Sequence, residues 1–95
     1  MYGISTEKSV DEVLEAAINK WGYDTQIDMA MGECGEFIAE VVRWRTQGRG
    51  TVQSVCEEVA DVIIMMLQLR KMIGPSVVDA SVASKLARLQ DKLDE

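Results

Sequence analysis

Apolar residues return every three or four positions through most of this chain, and four stretches keep the pattern long enough to predict helices. The first opens at Ser9, where Ser9-x-x-Glu12 has the form of a capping box. Val10, Val13, Leu14, Ala17, Ile18 and Trp21 follow at helical spacing, and Gly22 ends the run. The second helix is predicted from a cap at Asp24 to about Gln47, ahead of Gly48-Arg49-Gly50. Ile27, Met31, Cys34, Ile38, Val41 and Val42 form its apolar arc, and Glu33, Glu36 and Glu40 make a ridge along one border of it.

The third helix starts near Thr51 and stops at Gly74-Pro75. It is apolar nearly all round, which predicts a central position touching neighbours on several sides. The fourth is expected to cap at Ser76, with Asp79 in the box position. Its residues Val78, Val82, Leu86, Leu89 and Leu93 make a heptad-like stripe suited to packing on other helices. The expectation is an all-α, four-helix bundle-type domain spanning residues 1–95, with 1–8 frayed, that oligomerises through its helices. More apolar surface is on offer than four short helices cover alone, and a homodimer or homotetramer answers that.

Two acidic pairs interrupt this apolar pattern: Glu33-x-x-Glu36 and Glu58-x-x-Asp61. A three-residue step returns a side chain to nearly the same helix face, so each pair is two carboxylates pointing together. The residues four positions on are Phe37, Glu40, Val62 and Met65, so ion pairs of the helix-surface kind are missing. A short turn between the two helices suits an antiparallel hairpin in which the pairs face each other. Desolvating four like charges is expensive without a cation. The chain contains no histidine, which excludes a di-iron site of the Glu-x-x-His kind and favours a hard, oxygen-loving ion: Mg²⁺, with Mn²⁺ as a substitute.

Charge and cysteines narrow the class further. A net charge of −6 with no basic footprint argues against nucleic-acid binding. Cys34 and Cys56 have neither disulfide nor zinc spacing and read as small buried residues in a reduced, cytoplasmic setting. The N-terminus lacks a basic region followed by an apolar run, so no signal peptide is expected. The apolar stretch Val59–Leu69 is too short to span a membrane.

Gly32-Glu33-Cys34-Gly35-Glu36-Phe37, followed after a helical hairpin by Glu57-Glu58-Val59-Ala60-Asp61-Val62, resembles the all-α nucleoside triphosphate pyrophosphohydrolases of the MazG type. That family's signature is EExxE, a gap, then ExxD; here Gly32 stands where its first Glu would be. The resemblance covers about residues 10–93. It implies Mg²⁺-dependent hydrolysis of a nucleoside triphosphate, expected to be a deoxynucleotide, to the monophosphate and pyrophosphate, as nucleotide-pool housekeeping. It also implies Glu33, Glu36, Glu58 and Asp61 as metal ligands. Glu36, with Glu33, is the expected catalytic carboxylate, and Glu40 and Glu57 are second choices.

The same resemblance points to Lys85 and Arg88, on the edge of the last helix with Lys92, as contacts for the triphosphate. Trp21 and Gln26 are candidates for holding the base, for which a flat apolar wall and a few polar groups are needed. Two other readings stay open. One is phosphoribosyl-ATP pyrophosphohydrolase, which shares the acidic helices; the other is a non-catalytic helical module that binds a partner protein.

Overall fold

The computed structural model describes residues 9–95, and all regular structure among them is helical: α1 (Val10–Trp21), α2 (Tyr23–Thr46), α3 (Val52–Ile73) and α4 (Pro75–Leu93). The expectation of a frayed 1–8 falls outside the described residues. Local chemistry explains most boundaries. The Ser9 hydroxyl accepts the Glu12 N–H at 3.1 Å, and the Glu12 carboxylate accepts the Ser9 N–H at 3.4 Å. Thr51 and Ser54 make the same reciprocal pair at the start of α3, at 3.0 and 3.1 Å. Each exchange satisfies helix-start N–H groups that have no partner within the helix.

Two expected caps are corrected. Helix α2 begins at Tyr23 directly after Gly22, which closes α1 and opens α2 with φ 85°, so Asp24 lies inside the first turn. A carboxylate there still faces the positive end of the helix dipole. Helix α4 starts at Pro75, one residue after α3 stops, with Gly74 as its uncapped N-terminal neighbour. Pro75 occupies a first-turn position, where its missing N–H costs nothing. Ser76 is therefore past the cap, and Asp79 turns to Arg70 instead, accepting from Nε at 2.8 Å and Nη2 at 2.7 Å.

Helices α2 and α3 form a hairpin packed along its length; α1 leans on both, and α4 approaches α3 alone. Lys71 on α3 ties down α1 by donating to Asp11 at 2.7 Å. The buried apolar residues are few: Leu14, Ile18, Ala30 and Met65. They sit where α1 meets the hairpin and midway along it.

The face that α2 turns inward corrects the expectation from its apolar arc. Gln26, Ala30 and Glu40 are the buried residues of α2, with Glu33 half-buried between them, whereas Ile27, Met31, Ile38 and Val42 are exposed. Positions 26, 33 and 40 repeat every seven residues, the spacing of a helix–helix seam. Most of the polar ridge forms the seam, and most of the apolar arc faces outward, with Cys34 and Val41 half-buried at its edge. Helix α3 differs in the same sense: Met65 is its one buried apolar residue, while Val59, Ile64 and Met66 are exposed. Cys34 is half-buried and Cys56 is exposed, not buried, because the face of α3 that carries it borders an open groove. No helix among the described residues is long and apolar enough to cross a membrane.

Candidate metal centre

The hairpin register places the acids. Ser54 Oγ donates to Glu40 Oε1 across the α2–α3 interface at 2.5 Å, and Arg43 Nη1 donates to the other oxygen of Glu40 at 2.8 Å. One helical turn further along the seam, four residues back from Glu40 and four on from Ser54, lie Glu36 and Glu58. Glu33 and Asp61 occupy the next rung. Antiparallel packing thus aligns the two acidic pairs, because their internal spacings are equal.

Glu33, Glu36 and Glu58 each bring a carboxylate oxygen within 4.8 Å of the other two. Glu33 and Glu58 are half-buried and Glu36 is exposed, so the triangle has a shielded floor and an open side. One oxygen of Glu33 and one of Glu58 (Oε2 in each) are shielded from solvent and have no hydrogen-bond partner. An anionic oxygen removed from water and left without a donor is costly.

The electrostatics agree. Burial pushes the Glu33 carboxyl above its ordinary value, and the like charges of Asp61, Glu36 and Glu58 push it further; Glu36 also accepts a hydrogen bond from its protonated form. Burial raises Glu58 first, followed by Glu36, Asp61, Glu40 and Glu57. No cation is among the groups that shift either carboxyl. Asp61 is exposed and outside the triangle, yet its charge is the strongest of the neighbouring charges on Glu33.

The donor set fits a hard divalent ion. Three carboxylates from two helices, two of them with an oxygen lacking any donor, supply oxygen ligands and negative charge and no nitrogen or sulfur. Glu40, a second-choice ligand, is occupied by Ser54 and Arg43. Its role in this structure is to hold the register. Glu57 is exposed and contributes charge to the site through Glu58.

The other sequence candidates lie elsewhere. Lys85, Arg88, Leu89 and Lys92 line a separate recess of about 250 Å³ on α4. Trp21 ends α1 half-exposed, with Lys20 Nζ 5.2 Å from its ring centroid. Gln26 is 1% exposed, and its amide donates to the Met29 sulfur at 3.6 Å. The sequence reading did not single out Gln68, which is buried on α3 with its Oε1 unpartnered. It stands at the rung opposite Gln26, about three helical turns from the Glu36–Glu58 rung. A glutamine interrupting an apolar run was the available signal.

Comparison with protein-family models, curated proteins and solved structures finds no match for this chain.

Proposed function

We propose that the carboxylate triangle holds Mg²⁺, with Mn²⁺ as a substitute, and that the protein hydrolyses a nucleoside triphosphate to the monophosphate and pyrophosphate. The observation that carries this reading is a shielded, unpartnered oxygen on each of Glu33 and Glu58, two carboxylates that converge with Glu36 at the α2–α3 hairpin. The sequence pattern of the two acidic pairs, with its likeness to MazG-type enzymes, supports it. In this role Mg²⁺ neutralises polyphosphate charge and acidifies water.

The chain's own residues divide the remaining work. Glu33 and Glu58 form the floor and, lacking other donors, bind the ion instead of a proton. Asp61 adds negative charge beside Glu33. Glu36, exposed at the open side, takes a proton from the attacking water on its carboxylate as that water adds to the α-phosphorus of the triphosphate. The bridging bond breaks and pyrophosphate departs with its electron pair. Lys85 and Arg88 enter as contacts for the outer phosphates, and Trp21 as an apolar wall for the base. Removal of surplus or noncanonical deoxynucleotides is the housekeeping role that fits, with the enzyme working as a homodimer or homotetramer.

A panel of ribo- and deoxynucleoside triphosphates, with phosphoribosyl-ATP included, tests the reading in Mg²⁺ and in Mn²⁺ with products resolved by chromatography. Monophosphate and pyrophosphate in equal amounts are expected from at least one triphosphate. Turnover of phosphoribosyl-ATP alone would move the assignment to that enzyme. No pyrophosphate from any substrate would leave a non-catalytic helical module.

A further inference from the structure

Arg43 stands on the same border of α2 as Glu36. The two are seven residues apart, nearly two full turns, so their side chains leave the helix in about the same direction. Along the axis the separation is about 10 Å. Side chains on helices lean toward the N-terminus, and that of Arg43 reaches back to Glu40, where Nη1 donates to Oε2 at 2.8 Å. The guanidinium is thereby held roughly one turn beyond the open side of the carboxylate triangle.

The hold on Arg43 is itself supported. Glu40 is buried, and Ser54 occupies its other oxygen from α3 at 2.5 Å, so the carboxylate that carries the guanidinium is fixed. The Arg49 N–H closes the turn on the Arg43 carbonyl at 3.0 Å. Half of the Arg43 side chain is nevertheless in solvent. Its Nε and Nη2 form no hydrogen bond among the described residues. The same edge of Arg70 grips both oxygens of Asp79, at 2.8 and 2.7 Å, and a phosphate offers an equivalent pair of acceptors.

A polyphosphate approaching Glu36, Asp61 and Glu57 meets like charge, so a fixed cation beside them has work to do. Arg43 is not among the charges that shift Glu33 or Glu58. The triangle keeps its oxygens for a metal ion, and Arg43 keeps its free edge for an anion. Other cations are engaged or stand elsewhere. Arg70 and Lys71 are paired with acids, and Lys20 lies over Trp21. Lys85, Arg88 and Lys92 are on α4, which approaches α3 alone. Arg43 is on the hairpin that carries the triangle.

We infer that Arg43 binds the outer phosphates of the triphosphate, and then the pyrophosphate they become, through its Nε–Nη2 edge. This role rests on the hydrolase reading of the triangle and adds a third cation to Lys85 and Arg88. The water oxygen bonds to the α-phosphorus and its proton passes to Glu36. The electron pair of the breaking bond stays on the bridging oxygen, which leaves with pyrophosphate. Arg43 gives up no proton; its fixed donors meet the charge that collects on the leaving group. Held by Glu40 beforehand, it loses less freedom on binding than a loose arginine does. A nucleoside monophosphate has no outer phosphates for it to grip.

Calorimetric titration with inorganic pyrophosphate in excess Mg²⁺ tests this on the wild-type chain, Arg43→Gln, Arg43→Lys and Arg45→Gln. Arg43→Gln is expected to weaken pyrophosphate binding at least about tenfold. The rise in Tm given by Mg²⁺ alone, and the affinity for a nucleoside monophosphate, should stay as in wild type. Arg43→Lys keeps the charge without the fork and should recover part of the loss. Arg45→Gln removes the same charge from another side of α2 and should bind pyrophosphate as wild type does. Equal affinity in wild type and Arg43→Gln would overturn the inference and leave the hydrolase reading standing. So would an equal loss in Arg45→Gln, or a loss that comes with a flattened Mg²⁺ response, since Arg43 would then act only by steadying Glu40. A wild-type chain that answers neither Mg²⁺ nor pyrophosphate would sink both.

Discussion

Glu40 and Ser54 meet across the α2–α3 hairpin, hydroxyl to carboxylate at 2.5 Å, and that contact sets the rung from which the acidic pairs are counted. Shifting the pairing by one residue would separate Glu36 from Glu58 and dissolve the triangle. The same contact explains Gly50 in the connecting turn. Gly50 has φ 73°, and a Cβ there would come within 2.7 Å of Glu40 Oε1.

Gly50→Ala is therefore expected to lower stability by about 1–2 kcal/mol from the left-handed backbone alone, with a further loss from displacing Glu40. Gly48→Ala is the matched control, since Gly48 also has positive φ (64°) but open space around it. Urea unfolding of both variants checks this: Gly50→Ala should be the more damaging, and equal losses would show that Glu40 is not held there.

Metal binding should register in the melting curve. If Mg²⁺ binds the folded chain and not the unfolded one, a hundredfold excess over its dissociation constant adds about 2.7 kcal/mol. Tm should rise between chelator and millimolar Mg²⁺, and the rise should vanish in Glu33→Gln combined with Glu58→Gln. Identical curves with and without Mg²⁺ would count against a preformed centre.

The two raised carboxyls give a pH dependence of definite sign. Folded Glu33 and Glu58 hold protons above the ordinary value of 4.5, so the folded chain binds more protons than the unfolded one from there up to the raised values. Stability contributed by these groups falls as pH rises through that window and levels off above it. Asp79 acts oppositely: its carboxyl is lowered by Arg70, and the stability it gives is lost as pH falls below about its ordinary 3.8. Unfolding midpoints measured without metal across this range should slope downward for the native chain and flatten in the Glu33→Gln, Glu58→Gln double variant. Parallel slopes would show that the two carboxyls titrate normally.

Replacing Glu36 by Gln or Asp61 by Asn keeps size and helix propensity while removing a charge. Each is expected to reduce turnover by orders of magnitude with helical content retained. Full activity in both would remove them from the site. Lys85→Ala and Arg88→Ala should chiefly raise KM for the triphosphate; unchanged kinetics would detach the α4 recess from substrate binding without touching the carboxylates.

The four helices were legible in the sequence because spacing and punctuation agree: the Ser9 box, Thr51, and the glycines at 22, 48, 50 and 74. The caps at Asp24 and Ser76 were not, because a single glycine serves each join and leaves no residue to spare for a cap. The acidic pairs were legible as a candidate centre, and the structure brings three of the four into one triangle while Asp61 stands at its edge. The inward face of α2 was not legible. Periodicity shows that Ile27, Met31 and Ile38 share a face; it does not say whether that face meets a helix of the same chain. In the sequence Gln68 reads only as an interruption of an apolar run, and a single amide carries no spacing signal that would place it at the seam.

The seam of α2 and α3 has glutamine and glutamate where leucine would hold two helices together better. Natural chains often forgo some robustness where activity requires polar groups. Laboratory selection for thermal endurance alone should therefore alter positions 26, 33, 58 and 68 early, and the winners should be sturdier hairpins that no longer respond to magnesium.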